Sequence, residues 1–416
     1  MKRVGVLTLG LALAAASSAN AQALSMQMGN GWSFGLSGNV NAFYVYSNLR
    51  SCSTTGGSTT CDKSGQQSGI GTGLLPANLN FDIKGKEGNT DLGVHFGFFP
   101  QVSSGGNTGS YFGSDAAGAQ IDMRQVYLTV GGTWGQVLMG KQLGLFQRGN
   151  IVNDMTIYGS GPNAIGNYGA TSGFRGTALG RIGYGYLYTD FRGQLTYSTA
   201  AGKPYTFAVG IFEPATFGEY SVHSLPRLET EFTYDKKFSG DKNSFGFFAS
   251  GMLQSSKNDI GSAGDSETAL GGAGGIKLGF SGLTLVGSGF YAKGQGSIFM
   301  GSVNSNGTDA SDDLGNLRTS YGWYGQASFT PTGSKWTIAG SYGGNWLQQT
   351  DADEAGTGGL DDDGFKSRTA IVGAVTYQVT KSYRLVFEYT NFKDKAQNGD
   401  KIGDGNQGAV GMMLFF

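Results

Sequence analysis

The chain is short of charge. Lys, Arg, Asp and Glu make up only 14% of its 416 residues, about half the share of a soluble domain, and a water-dispersed fold this poor in charge is hard to keep in solution. Transmembrane helices are absent as well: beyond residue 21 no apolar run approaches the roughly 18 residues that one needs. Proline is scarce at 7 residues, and His95 and His223 are the only histidines. With no H-E-x-x-H and no G-x-S-x-G, the chain offers little to hydrolytic chemistry, and no metal or cofactor site stands out. Cys52 and Cys61 are the only cysteines, eight Ser-, Thr- and Gly-rich residues apart with no histidine near, so a loop-pinning disulfide is favoured over a metal pair.

What the chain has in abundance is glycine, 74 residues, and aromatics, 12%. Disordered segments lack aromatics and apolar periodicity, so the glycine does not signal disorder. Lys2 and Arg3 precede an apolar stretch from Val4 to Ala16 and the triplet Ala19-Asn20-Ala21, the order of an export signal. The expected division is a signal peptide over 1–21, with cleavage after Ala21 or alternatively Ala23, and one domain over 22–416. Losing Lys2 and Arg3 from the 29 basic residues leaves 27 against 30 acidic ones, a net charge of about minus three, which argues against nucleic acid.

The remaining sequence alternates. Phe34, Leu36, Val40, Ala42, Tyr44 and Tyr46 share one side of a strand, opposite Ser33, Ser37, Asn39 and Asn41. Leu75, Ala77, Leu79, Phe81 and Ile83 repeat the stripe, as do Leu92, Val94, Phe96 and Phe98, with polar residues on the other face. The last ten residues do so too: Gly408, Val410, Met412, Leu414 and Phe416 against Gln407, Ala409, Gly411 and Met413. Stripes of about ten residues fit tilted membrane strands, and lipid permits only a closed barrel of them. Short connections fall at 85–90, 131–134, 201–204, 236–243, 281–282, 332–335 and 381–382; long ones at 52–69, 101–119, 143–178, 213–226, 254–267, 294–318, 348–366 and 394–405. Seven short and eight long connections imply an all-β, antiparallel transmembrane barrel of 16 strands.

Two places fit badly. Ile182, Tyr184, Tyr186 and Tyr188 read as a strand stripe on even positions, whereas Phe191, Leu195 and Tyr197 are odd, so a bulge or a turn is expected near Asp190; a turn would change the strand count. From Arg124 to Val130 the parity is blurred, as if both faces were covered, one by a neighbouring subunit. In the loop 351–362, acids at the first, third and twelfth positions with Gly356 at the sixth partly match a calcium loop, but Ala355 at the fifth and the lack of flanking helices favour a solvated acidic loop.

The run M-R-Q-V-Y-L-T-V-G-G-T-W-G-Q-V-L-M-G-K-Q over 123–142 resembles the strand, turn and strand before the third loop of Gram-negative general-diffusion porins, with Arg124, Gly135, Gly140 and Lys141 on matching positions. The hairpin over 81–98 and the terminal aromatic are similar to that family too. The resemblance implies a sixteen-stranded outer-membrane homotrimer whose third loop, here 143–178, folds inward. It also implies that Phe416, Leu414 and Met412 form a C-terminal signal read by the outer-membrane assembly machinery. In such porins a basic wall faces an acidic loop across a constriction. The wall candidates here are Arg124, Lys141 and Arg181, and the loop carries Arg148, Asp154 and Arg175. The acidic P-E-F-G-G stretch of many members is missing, Asp154 is the only carboxylate of 143–178, and the excess of arginine points to weak anion preference.

The function expected on these grounds is passive diffusion of small hydrophilic solutes and ions through a water-filled channel, with lipid and lipopolysaccharide around it and no cofactor. A substrate-selective channel guided by Phe146, Tyr158 and Tyr168 is the alternative on the same scaffold. A non-channel barrel, adhesin or structural anchor, is the alternative of another class. An outer-membrane hydrolase built on His95 or His223 has the least support, and His95 reads better as interior lining.

Overall fold

The computed structural model describes residues 24–55, 58–61, 65–102, 121–162, 177–218, 220–240, 242–258, 266–298, 300 and 310–416. The leader over 1–21, Arg175 and Tyr168 lie outside these residues.

Sixteen antiparallel strands close on themselves. They are β1 (Ser33–Thr55), β2 in two pieces (Gly65–Gly71 and Asn78–Glu87), β3 (Thr90–Pro100), β4 (Ile121–Gly132), β5 (Gly135–Leu143), β6 (Phe191–Ser198), β7 (Tyr205–Phe212) and β8 (Arg227–Phe238). The second half comprises β9 (Asn243–Asn258), β10 (Ser266–Phe280), β11 (Leu283–Lys293), β12 (Thr319–Phe329), β13 (Trp336–Leu347), β14 (Phe365–Gln378), β15 (Tyr383–Ala396) and β16 (Lys401–Phe415). The seam joins β16 to β1 from Asn39↔Phe415 to Ser51↔Gly403, so no strand edge is left for lipid. Phe416 finishes the seam: its N–H donates to Gly38 O at 3.0 Å and its carbonyl accepts from Gly38 N at 2.9 Å.

The two faces of β16 separate as the alternation requires. Val410, Met412 and Leu414 are about half exposed, whereas Gln407, Ala409 and Met413 are buried inside. The same period-two logic runs around the wall, with Trp323, Trp336, Ile338, Ile371 and Phe387 outward and Tyr324, Ser341, Val372 and Val386 inward. The tight turns obey local chemistry: Ser281 (φ 44°) and Gly282 (φ 97°) supply the two left-handed residues that a two-residue hairpin between β10 and β11 demands. Cys52 and Cys61 are bonded, closing a short ribbon where β1 outruns the barrel and pairs with Ser58–Cys61.

Two expectations need correction, and a third is refined. The segment Ile182–Tyr188 is not a strand: Ile182, Tyr184 and Tyr186 are fully buried inside the barrel, and β6 begins only at Phe191. Glycines at 180, 183 and 185 take positive φ there, which breaks the extended backbone that the aromatic spacing suggests. The long third connection therefore runs to Asp190, and the count of sixteen survives. Leu75 and Ala77 do not face lipid either; β2 is interrupted between Gly71 and Asn78, and both side chains turn inward. The parity near Arg124 is blurred by a bulge. The register passes from Gly97↔Gln125 directly to Phe99↔Asp122, so β4 carries one extra residue and its outward side changes from Leu128 to Met123.

Candidate functional site

In the connection between β5 and β6, the described residues 144–162 and 177–190 fold into the barrel and are held there on both sides. It contains a short helix, α1 (Arg148–Val152), and a 3-10 turn (Met155–Tyr158). Its apolar side chains Phe146, Ile151, Ile157, Ile182 and Leu187 join the inward Phe43, Phe290, Tyr324 and Met413 in one buried cluster. Each such burial is worth about 1.5–3 kcal/mol, so much of the barrel's interior is a packed core and not open water.

Polar contacts fix where that core sits. Glu229 on β8 accepts from the Leu145 and Phe146 amides at 2.7 and 2.9 Å. On the far side Glu388 on β15 accepts from Ser160 Oγ at 2.9 Å and from the Gly161 amide at 2.7 Å. Two wall carboxylates thus satisfy loop amides that no secondary structure pairs. Between them Tyr324 OH donates to Asn150 O at 2.7 Å, and Gln326 Oε1 accepts from Met155 N at 2.8 Å. The returning half is tied to β13, where Asn345 Oδ1 accepts from Gly185 N at 2.8 Å. The break in β2 has its reason here: freed from the ladder, Leu74 N and Leu75 N donate to Gly159 O and Ile157 O at 2.9 and 3.3 Å.

The residues singled out in the sequence fall in different settings. Arg148 sits at the start of α1, buried, with its guanidinium against the Glu231 carboxylate of β8. Asp154 is 1% exposed and accepts from Thr156 N, Thr156 Oγ1 and Tyr186 OH at 2.9, 2.5 and 2.8 Å. Arg181 belongs to the loop and not to the wall. Fully buried, it donates to Ser341 Oγ, Tyr184 O and Ala370 O at 2.9–3.0 Å and fastens the loop to β13 and β14. Arg124 lies at the β4 bulge, paired with Asp122 at 2.5 Å and placed over the Phe99 and Phe191 rings. Lys141 is on the outside. It shares the outward parity of Met139, which is 58% exposed, while Gln142 beside it is buried inside. The loop aromatics Phe146 and Tyr158 are taken up by packing, Tyr158 beneath the Arg384 guanidinium at 4.2 Å.

Sequence reading passed over the anchors Glu229, Glu231 and Glu388. Their signal was present: each alternates with outward residues, Leu228, Thr230 and Phe232 around the first two and Phe387 and Tyr389 around the third, so a carboxylate there points inward and must meet a partner inside the barrel. Other inward charges remain on the wall. Asp82 meets His95 at 3.1 Å, and His95 stacks on Tyr127 at 4.8 Å, so His95 does line the interior. Asp235 is exposed, Lys84 is half-buried, and Lys277 reaches Asn153 Oδ1 at 3.3 Å. In the loop 351–362, Asp353 is bound to Arg318 and begins no cation cage; among the described residues no cluster of three metal-ligating side chains occurs.

A closed wall of sixteen strands, greasy outside, with an inward third loop is the anatomy of a diffusion channel. A family model for the Gram-negative porin matches residues 8–397. The chain belongs to the Gram-negative porins. It is accordingly an outer-membrane channel for passive diffusion, and the porin family and fold are those of a channel and not of an enzyme. Among solved structures it is similar to the outer-membrane channel DcaP of Acinetobacter baumannii, at 17% identity and a TM-score of 0.65 over 94% of this chain and 99% of that one. The anion-selective porin of Comamonas acidovorans aligns at 15% identity and a TM-score of 0.58, covering 92% and 100%. The trimer form of OmpT from Vibrio cholerae gives 11% and 0.52 over 93% and 100%. No curated protein matches in sequence.

Proposed function

We propose that this porin passes small hydrophilic solutes and ions as a homotrimer, through a lumen narrowed by the loop 144–190, and that the inward wall charges set ion preference. The observation that carries this is the internal pairing of the loop's own charges. Arg148 and Arg181 are buried with partners, as is Asp154, so they project little field into water. Lys84, Asp235 and Lys277 face inward without such burial, and charges lining a pore bias which ions enter.

Export by the 1–21 leader, and recognition of Phe416, Leu414 and Met412 by assembly machinery, belong to the same reading. Trimer formation is supported by the outer face of β1–β3, where Phe34, Phe81 and Phe98 form a tilted and an edge-to-face ring contact at 6.0 and 5.7 Å. The Vibrio cholerae relative is also known in a trimer form. Planar-bilayer recording tests the proposal: openings in steps of three without saturation by any one sugar support it, and absence of conductance rejects it.

A further inference from the structure

One row at the short-connection end of the barrel is unlike its counterparts. The connections 201–204 and 236–243 hold four lysines, Lys203, Lys236, Lys237 and Lys242, against a single acid, Asp241. All four lysines are exposed, and none forms an ion pair among the described residues.

Register sets two of them face to face. Tyr205 lies opposite Tyr234, and Asp235 N donates to Pro204 O at 2.7 Å, which carries the pairing of β7 with β8 one residue further. The next pair is Lys203 opposite Lys236. Both share the outward side of Tyr205 and Phe232, exposed by 41% and 37%, and the Lys203 ammonium lies over the Tyr205 ring at 5.4 Å. Beside them Tyr234 and Phe245 meet edge to face at 6.0 Å, an aromatic floor of the kind found where a barrel passes from hydrocarbon to headgroups. Like charges directly opposed across two strands destabilise the pair. The β2–β3 hairpin shows the ordinary solution, Lys86 opposite Asp91 with Nζ and Oδ1 at 3.2 Å. On β7 and β8 no carboxylate takes that place, because Asp235 has the inward parity.

We propose that the Lys203–Lys236 pair holds one phosphatidylglycerol of the periplasmic leaflet, its phosphate accepting from both ammoniums and an acyl chain lying along the aromatic floor. Charge selects this lipid. A phosphodiester between two ammoniums replaces a repulsion by two charge-assisted hydrogen bonds, whereas the cationic amine of a phosphoethanolamine or phosphocholine headgroup brings a third positive charge to the pair. The inference rests on the porin reading, which makes this wall face lipid and sets the short turns on the periplasmic side.

Native mass spectrometry of the full-length, folded protein tests it, in detergent micelles doped with equal amounts of phosphatidylglycerol, phosphatidylethanolamine and phosphatidylcholine. The expected result is one phosphatidylglycerol retained per chain, with a preference of about tenfold over the other two, the ratio that one charge-assisted hydrogen bond supplies. Lys236→Glu sets opposite charges across the strands and abolishes the preference, while thermal unfolding in lipid-free detergent stays at or above that of the wild type. Lys335→Gln, on another short turn where the ammonium already donates to Val379 O at 2.9 Å, leaves retention as it was. Equal retention of all three lipids overturns the proposal, as does a preference that survives Lys203→Gln combined with Lys236→Gln. Displacement of the lipid by an equal concentration of inorganic phosphate overturns it too, since the pair is then an ion site. So does a change of oligomer mass in Lys236→Glu, which would make the row a subunit contact. Heat-dependent electrophoretic mobility verifies folding; if Lys236→Glu does not fold, Lys203→Gln decides. Conductance measured on the same samples separates the two readings: its absence from the wild-type protein fails the porin reading, whereas intact conductance without selective lipid fails only this one.

Discussion

Two long connections of this porin solve the same problem in opposite ways. The loop 144–190 hangs on the wall: its amides end on Glu229 and Glu388, its guanidinium on Glu231, and its apolar side chains on inward residues of distant strands. The connections around 310–318 and 348–364 hang on each other. Arg318 grips both carboxylate oxygens of Asp353 at 2.6 and 2.7 Å, and donates to Gly358 O at 2.8 Å. The short helix α2 (Asp351–Glu354) starts on Thr350 with a reciprocal capping box through Asp353. The inward loop is thus a property of the whole barrel, and the outer pair forms a small folded unit of its own. Damage to the first should change the channel, and damage to the second should not.

The largest expected effect is on the wall anchors. Glu388→Ala strands the buried amide of Gly161 and the amide and hydroxyl of Ser160, a loss of about 2–4 kcal/mol to the docked loop. The measurable outcome is a larger and noisier single-channel conductance with an unchanged barrel melting profile; a conductance equal to wild type would show that the loop is held without Glu388. Arg148→Ala comes next. It leaves Glu231 buried without its cation, which costs about 3 kcal/mol, and Arg148→Ala with Glu231→Gln should recover part of that. A double-mutant cycle on loop proteolysis checks the coupling, and strict additivity would argue against the pair.

The outer unit is the smaller case, and pH reveals it. Burial alone raises the Asp353 carboxyl, but the Arg318 guanidinium and the Thr350 and Leu360 amides outweigh that and bring it below its usual 3.8. A carboxyl lowered by folding stabilises fully above its unfolded value, and that stabilisation vanishes as pH falls through the folded value. Protease cutting within 348–364 should therefore stay slow down to about pH 4 and rise below it, while Asp353→Asn cuts readily at neutral pH. Conductance is expected to be the same in both proteins, and a change would mean that the unit reaches the lumen.

Lipid explains what was legible in sequence. A wall bathed in hydrocarbon imposes one rule at every second residue, so the stripes through Phe34, Trp323, Phe387 and Leu414 give strand number and facing from local pattern alone. The interior obeys no such rule. Glu229 and Glu388 lie 159 positions apart and are joined only through a loop that meets both, which no local spacing encodes. The stripe from Ile182 to Tyr188 misled for the same reason, because a greasy alternation can serve a core inside the barrel as well as the lipid outside. Lys141 matched a family motif by position, yet strand parity, readable from Met139 and Gln142, sends it outward.

That parity argument yields the smallest and sharpest test. If wall charge and not loop charge sets selectivity, Lys277→Ala removes an inward ammonium beside Asp235 and should move the reversal potential in a salt gradient toward cation preference, by a few millivolts on the scale of one charge screened over about 8 Å at physiological salt. Lys141→Ala, of identical chemistry but on the lipid side, should leave it where it was. Arg124→Ala falls between, since Asp122 already neutralises that guanidinium at 2.5 Å. Equal shifts from Lys277 and Lys141 would break the distinction between the two faces on which the assignment of the lumen depends.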